Sequence, residues 1–278
     1  ANVLKRAGKA SRAVDDLDSA LRIKPDYGAA LVMRARALLG IGRCAEAKRD
    51  YDAAKDKDGS TAAAGCVEAL QAAEKARAKG DRRLELEHLA EVLEKYALDN
   101  PSHLLLLRAR AHYDRRDFYE CIAESGKALK QAPDDLEALE LRGSAYYFLA
   151  DHAMAKTHWQ QALRSDPEHP GCKSGYKKLR SLTKKDAAGD KHFENGDHEQ
   201  AVAQWVSALS VDDHHHVFHT STNLKIASSY LQMKDYASAR RHCDLILSQD
   251  DKNVDALIKR TEAEIGAEEY ENARRTAS

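Results

Sequence analysis

The sequence is poor in proline and aromatics and lacks any long apolar run. Five prolines and fourteen glycines in 278 residues exclude a coil-rich chain and leave a helix-rich one with short turns. No run of 18 apolar residues occurs, which excludes an apolar transmembrane helix. Nor is there a block of five or more like charges, and 44 basic residues stand against 45 acidic ones. Nucleic-acid and membrane-surface partners therefore have no electrostatic support in the linear sequence. The five cysteines, Cys44, Cys66, Cys121, Cys172 and Cys243, form no CxxC pair, and an odd number cannot pair completely. That excludes a dense disulfide scaffold and leaves the redox compartment open. No secretory leader is visible, and the sequence opens on helical residues without Met, which says little about compartment. A glycine-rich phosphate loop, HExxH, GxSxG and paired catalytic residues are all missing. The expectation is a non-enzyme with no catalytic residues, no metal site and no cofactor.

What is present is a repeat. "RAVDDLDSALRIKPD" (12–26), "CIAESGKALKQAPDD" (121–135), "AMAKTHWQQALRSDPE" (153–168) and "AVAQWVSALSVDD" (201–213) share one frame. Ala13, Leu17, Ala20 and Pro25 form one set, and Ala47, Tyr51, Ala54 and Gly59 the next. Ala155, Trp159, Ala162 and Pro167 repeat it, as do Ala201, Trp205, Ala208 and Asp213. Upstream, Gly143 and Tyr146 precede Ala155, and Gly189 and His192 precede Ala201; Tyr236 and Tyr270 occupy equivalent places. Small residues at helical spacing let two helices approach closely, and a bulky residue four positions on fills the groove beside them. Proline then stops the second helix. The period, about 34 residues, is that of the tetratricopeptide (TPR) helix–turn–helix unit. The chain resembles a TPR array over nearly its whole length. The predicted fold class is all-α, a TPR solenoid wound as a right-handed superhelix.

The frame predicts eight units. The first lacks its first helix and starts near Ala1. Units two to seven are centred on Ala47, Glu85, Cys121, Ala155, Ala201 and Ala239, and the eighth runs from near Val254 to Ser278. Both ends fall mid-repeat, so the protein is expected to extend beyond them, since a solenoid needs capping units. The step from Ala155 to Ala201 is twelve residues longer than one period. The extra residues lie in "DPEHPGCKSGYKKLRSLTKK" (166–185), where 173–182 reads as a helical extension with no breaker before Gly189. A weaker break is expected at 58–65. Three blocks follow: 1–59 (a partial unit and one whole unit), 60–170 (three units) and 171–278 (a linker helix and the last units).

Within that frame most polar motifs read as structure. His214–His216 and His219 cannot share one helix face and have no ligand partner at metal spacing, so an exposed inter-helix loop is expected. "EHPG" at 168–171 reads as an inter-repeat turn. Cys44, Cys121 and Cys243 occupy packing positions and are expected as buried inert thiols; Cys172, outside the frame, is expected to be exposed. The remaining function is binding. The concave positions of the first helices place Val32, Arg36 and Leu39 in unit two, and Leu106, Arg110, Tyr113 and Tyr147, with Phe148 adjacent, in units four and five. Apolar side chains on an open concave face suit extended or unfolded polypeptide. A clamp for the acidic tail of heat-shock chaperones is not expected: Asp190 would repel a carboxylate, and Ala227 and Ser228 stand where asparagine is needed.

The bridge "LRSDPEHPGCKSGYKKLRSLTK" is similar to that between the second and third TPR blocks of the DnaJ subfamily C member 3 family, through Asp166, Pro167, His169, Cys172, Tyr176, Lys177, Lys178 and Leu179. "AVDDLDSALRIKPDYGAALVMRARALLGIGRCAEAKRDYDAA" near the start and "NVDALIKRTEAEIGAEEYENA" near the end carry the same resemblance. It implies nine TPR units in three blocks followed by a J-domain that these residues do not include. It also implies binding of unfolded client polypeptides, chiefly by the first block, and their delivery to a DnaK-type chaperone (BiP) in the endoplasmic reticulum lumen. Restraint of kinases that phosphorylate a translation initiation factor is implied as well. Val32 and Leu39 become the best-placed client contacts. In one departure, "IASSYL" (226–231) has no cysteine to pair with Cys243. The alternatives are a cytoplasmic TPR–DnaJ co-chaperone of the subfamily C member 7 type and the substrate-recruiting TPR arm of an enzyme such as a glycosyltransferase.

Overall fold

The computed structural model describes residues 2–277, with side chains from Ala10 onward; Ala1 and Ser278, the expected limits of the first and last units, lie outside the described residues. The helices run in chain order as α1 Asn2–Ile23, α2 Gly28–Gly40, α3 Cys44–Ala54, α4 Lys57–Ala78, α5 Arg82–Glu91, α6 Ser102–Asp114, α7 Phe118–Leu129, α8 Leu136–Phe148, α9 His152–Ser165, α10 Pro170–Glu194, α11 His198–Leu209, α12 His216–Gln232, α13 Tyr236–Leu247, α14 Val254–Gly266 and α15 Tyr270–Thr276. A π-helical turn, Val92–Tyr96, continues α5. No strand occurs among the described residues. After α1 the helices follow one another two by two, from α2/α3 to α14/α15. The chain divides into two compact units, Ala1–Tyr146 with Thr157–Pro167, and Tyr147–Lys156 with Glu168–Ser278.

From α1 to α7 each helix packs on the next in sequence, as a solenoid requires. Its larger core gathers Cys66, Leu89, Leu104, Leu105, Cys121 and Leu141, and a smaller one joins Val14, Ala35, Leu38, Ala47, Tyr51 and Ala63. The glycine of the repeat has a steric reason: a Cβ on Gly143 would stand 2.7 Å from Trp159 Nε1. Where the third unit carries Glu85 in place of alanine, the carboxylate is buried but held by Arg77 Nε at 2.6 Å and Arg82 at 2.8 Å. Residues 58–65, read as a weak break, are helical; α4 is 22 residues long, and its added length absorbs the irregular spacing.

The second unit is built on α10, a helix of 25 residues and the longest described. "EHPG" becomes its start. His169 is the N-cap, its Nδ1 accepting the Cys172 backbone N–H at 3.4 Å, and Pro170 follows at the first helical position, where its missing N–H costs nothing. The helix runs on through Gly189, which faces the Trp205 ring. Trp205 packs with Ala201, Val202 and Ile226, and its Nε1 donates to Asp190 at 3.2 Å.

Two cysteine expectations need correcting. Cys44 is not an inert thiol: it forms a disulfide with Cys66, their Cα atoms 5.8 Å apart, because the small residues at the α3–α4 contact bring the two helices close. Cys172 is not exposed but fully buried, sharing the inward side of α10 with Leu179, Leu182 and Gly189. Cys121 and Cys243 are buried free thiols, and burial pushes them up to about 12 and about 11, so neither forms a thiolate near neutrality.

Candidate peptide-binding face

α2 carries Val32, Arg36 and Leu39 at spacings of four and three, which sets them on one side of the helix. Val32 is half-buried against the Val14–Tyr51 core, and Leu39 is half-buried between that core and the larger one. Arg36 is exposed. Beside them stand side chains that sequence reasoning passed over: Met33 is 60% exposed, Tyr27 52% and Ile23 89%. The signal was available, since Ile23 and Tyr27 flank the Pro25 turn, where an apolar side chain has no partner helix to reach.

On the opposite side of α2 lies a cavity of about 310 Å³ lined by residues that include Val14, Asp18, Arg34, Leu38, Arg49 and Asp50. Arg34 ties three helices together there. Its Nε and NH2 both donate to the Asp50 carboxylate at 2.7 Å, and NH1 donates to Asp18 at 2.6 Å. The hydrogen bonds to Asp50 outweigh desolvation and raise the guanidinium above its ordinary value. The cleft is polar and its central charges are paired, so it offers shape and hydrogen bonding rather than a nucleophile or base.

Two of the other candidates are packing residues. Leu106 is 6% exposed and belongs to the core, because α6 is wrapped on several sides and the run Leu104–Leu107 supplies apolar side chains all round it. Tyr147 is 3% exposed; its hydroxyl donates to Asp212 Oδ2 at 3.3 Å and its ring meets that of His215 at 4.4 Å. Both are corrected from client contacts to interior residues. Phe148 is half-buried, edge-on to Tyr147 and His215. Tyr113 is half-buried, edge-on to Phe118 at 5.8 Å, and Arg110 donates to Glu137 at 2.8 Å.

The histidine run is likewise not a wholly exposed loop. His214 and His216 face solvent, but His215 is fully buried among Tyr147, Phe148, His152 and Phe218. Its Nδ1 accepts the Phe218 backbone N–H at 3.4 Å, capping α12, and its Nε2 lies 3.4 Å from His152 Nε2. Burial, with His152 beside it, lowers His215 to about 4, so the ring is neutral at neutral pH. Burial would raise Asp212, but the His214 N–H, Lys178 and Tyr147 hold it below the usual carboxylate range. Among the described residues no group of three or more His, Cys, Asp or Glu side chains could hold a metal. Asp190, expected to repel a carboxylate, accepts from Lys225 at 2.8 Å.

Comparison with known proteins places this geometry. Residues 136–169 match the tetratricopeptide repeat family. The chain is 32% identical over 264 residues to DnaJ protein P58IPK homolog B of Oryza sativa subsp. japonica, covering 92% of this chain and 56% of that protein. It is 30% identical over 270 residues to the DnaJ protein P58IPK homolog of Arabidopsis thaliana, with 95% and 56% covered. To DnaJ homolog subfamily C member 3 of Homo sapiens it is 24% identical over 284 residues, with 98% and 56% covered. The chain thus spans about half the length of these relatives, 56% in each case. The crystal structure of the P58(IPK) TPR domain superposes with a TM-score of 0.73 at 23% identity, covering 97% of this chain and 77% of that one, which establishes the shared fold. No described helix is long and apolar enough to cross a membrane. With its repeat frame, its helices and its relatives in agreement, the chain is a tetratricopeptide-repeat array similar to the P58IPK homologues and DnaJ homolog subfamily C member 3.

Proposed function

We propose that this array is the client-holding part of a DnaJ-type co-chaperone. It binds unfolded or misfolded polypeptide along α2 and presents it to a lumenal DnaK-type chaperone (BiP) through a J-domain of the kind the relatives' DnaJ names denote. Restraint of translation-initiation-factor kinases belongs to the same reading. The observation that carries it is the side of α2 where half-buried Val32 and Leu39 flank exposed Arg36, next to exposed Met33. Apolar surface that stays open in the folded array, without a deep pocket, suits extended segments of varied sequence. The Cys44–Cys66 disulfide supports an oxidising compartment, and so the endoplasmic reticulum lumen over the cytoplasm.

The test is suppression of aggregation of a chemically denatured client protein as it is diluted into buffer. The chain should suppress light scattering at near-stoichiometric ratios, and the Val32→Ser/Leu39→Ser variant should do so poorly while keeping its circular dichroism spectrum. Absence of suppression, or full suppression by the folded variant, would contradict the proposal.

A further inference from the structure

The solvent side of α10 is a row of cations. Lys173, Lys177, Arg180, Lys184 and Lys191 are all exposed, while Cys172, Leu179, Leu182 and Gly189 of the same helix are buried. Their spacings of four, three, four and seven set them on one stripe, about 60° wide and about 27 Å long at the usual helical rotation and rise. Ala187 fills the remaining place and carries no charge. Lys173 pairs with Glu168 at 2.7 Å; Lys177, Arg180, Lys184 and Lys191 have no ion pair among the described residues. The acidic residues in the helix body are turned elsewhere, Asp186 and Asp190 both to Lys225. Glu168 and Glu194 stand at the two ends of the stripe.

Helices α3, α5 and α15 are built differently. They pair opposite charges one turn apart, as Lys48 with Asp52, Arg83 with Glu87 and Arg275 with Glu271. On α10, Lys173 and Lys177, and Arg180 and Lys184, are like charges four apart, an arrangement that works against the helix. In a chain with 44 basic and 45 acidic residues, this is segregation of charge rather than excess.

We propose that the outer face of α10 is a docking surface for an acidic segment of a partner polypeptide. The stripe has no exposed aromatic ring on which single-stranded bases could stack and no large apolar side chain to enter a lipid surface. A straight row of cations, one per turn except at Ala187, instead matches carboxylates along an acidic helix or extended acidic strand. The phosphates of a duplex wind away from such a line after a short contact.

The experiment measures anisotropy of a fluorescein-labelled oligoglutamate peptide with the whole chain as salt is raised. Binding should weaken with salt, and K177E/R180E/K184E should lose about tenfold or more in affinity. K177R/K184R should keep it, and so should K57E/K79E/K252E, which changes net charge equally on other exposed lysines. No binding of the peptide, or equal loss in both charge-reversal variants, would overturn the proposal. So would tighter binding of duplex RNA or phosphatidylserine vesicles through the same three residues.

Discussion

Lowering the pH from about 7.5 to about 5 should cost the fold about 2 kcal/mol through His215 alone. The ring is fully buried among Tyr147, Phe148, His152 and Phe218, and its folded value lies near 4, against 6.5 for an ordinary histidine. The folded state therefore binds fewer protons than the unfolded chain at intermediate pH. Stability from the neutral ring is fully present above 6.5 and is lost as the pH falls from there toward 4. Below both values the loss levels off at about 3 kcal/mol. His152, also lowered by burial, acts in the same direction. The assay is urea unfolding followed by far-ultraviolet circular dichroism at a series of pH values, for the parent and for His215→Asn. Asparagine keeps a side-chain acceptor for the Phe218 N–H but does not titrate. The variant is less stable at neutral pH, yet its stability should fall less steeply on acidification, by about 2 kcal/mol at pH ~5. If parent and variant lose equal stability on acidification, the neutral buried ring is refuted.

Other consequences of the packing are open to measurement. Gly189→Ala pushes a Cβ into the Trp205 ring, an overpacking cost of about 1–3 kcal/mol against about 1 kcal/mol gained in helix propensity; the melting temperature should fall, and a rise would refute the close approach. Breaking the Cys44–Cys66 cross-link, which closes a separation of 22 residues, should cost about 3 kcal/mol by chain entropy, read as the difference between the parent and Cys44→Ala/Cys66→Ala under non-reducing conditions. Glu85→Ala should cost less than about 1 kcal/mol, because it restores the small residue of the repeat and Arg77 and Arg82 can turn to water. A loss of about 3 kcal/mol or more would mean that the buried carboxylate is essential to the α4–α5 contact.

How much of this could be read in advance follows from what a repeat encodes. Ala47, Ala155 and Ala201 recur because each unit makes the same contact with its neighbour, and Gly143 and Gly189 recur because each faces an indole. Contacts that occur once leave no such trace. The Cys44–Cys66 bond depends on the distance between two helices, and five cysteines without a pairing motif do not announce it. The central histidine of His214–His216 turns inward while its neighbours turn out, which composition cannot distinguish. Leu106 and Tyr147 sat at concave positions by phase but are sealed by the run Leu104–Leu107 and by Asp212 and His215. The basic face of α10 escaped a search for consecutive charges because a helix gathers every third or fourth residue.

The central claim is that the α2 face holds non-native polypeptide. It is tested most directly by placing a photo-crosslinking amino acid at position 36 and, as a control, at the exposed position 87 of α5. Illumination with a reduced, unfolded client should give an adduct from position 36, far less from position 87, and almost none when the same client is native. Equal adducts from both positions, or from native and unfolded client alike, would contradict the account.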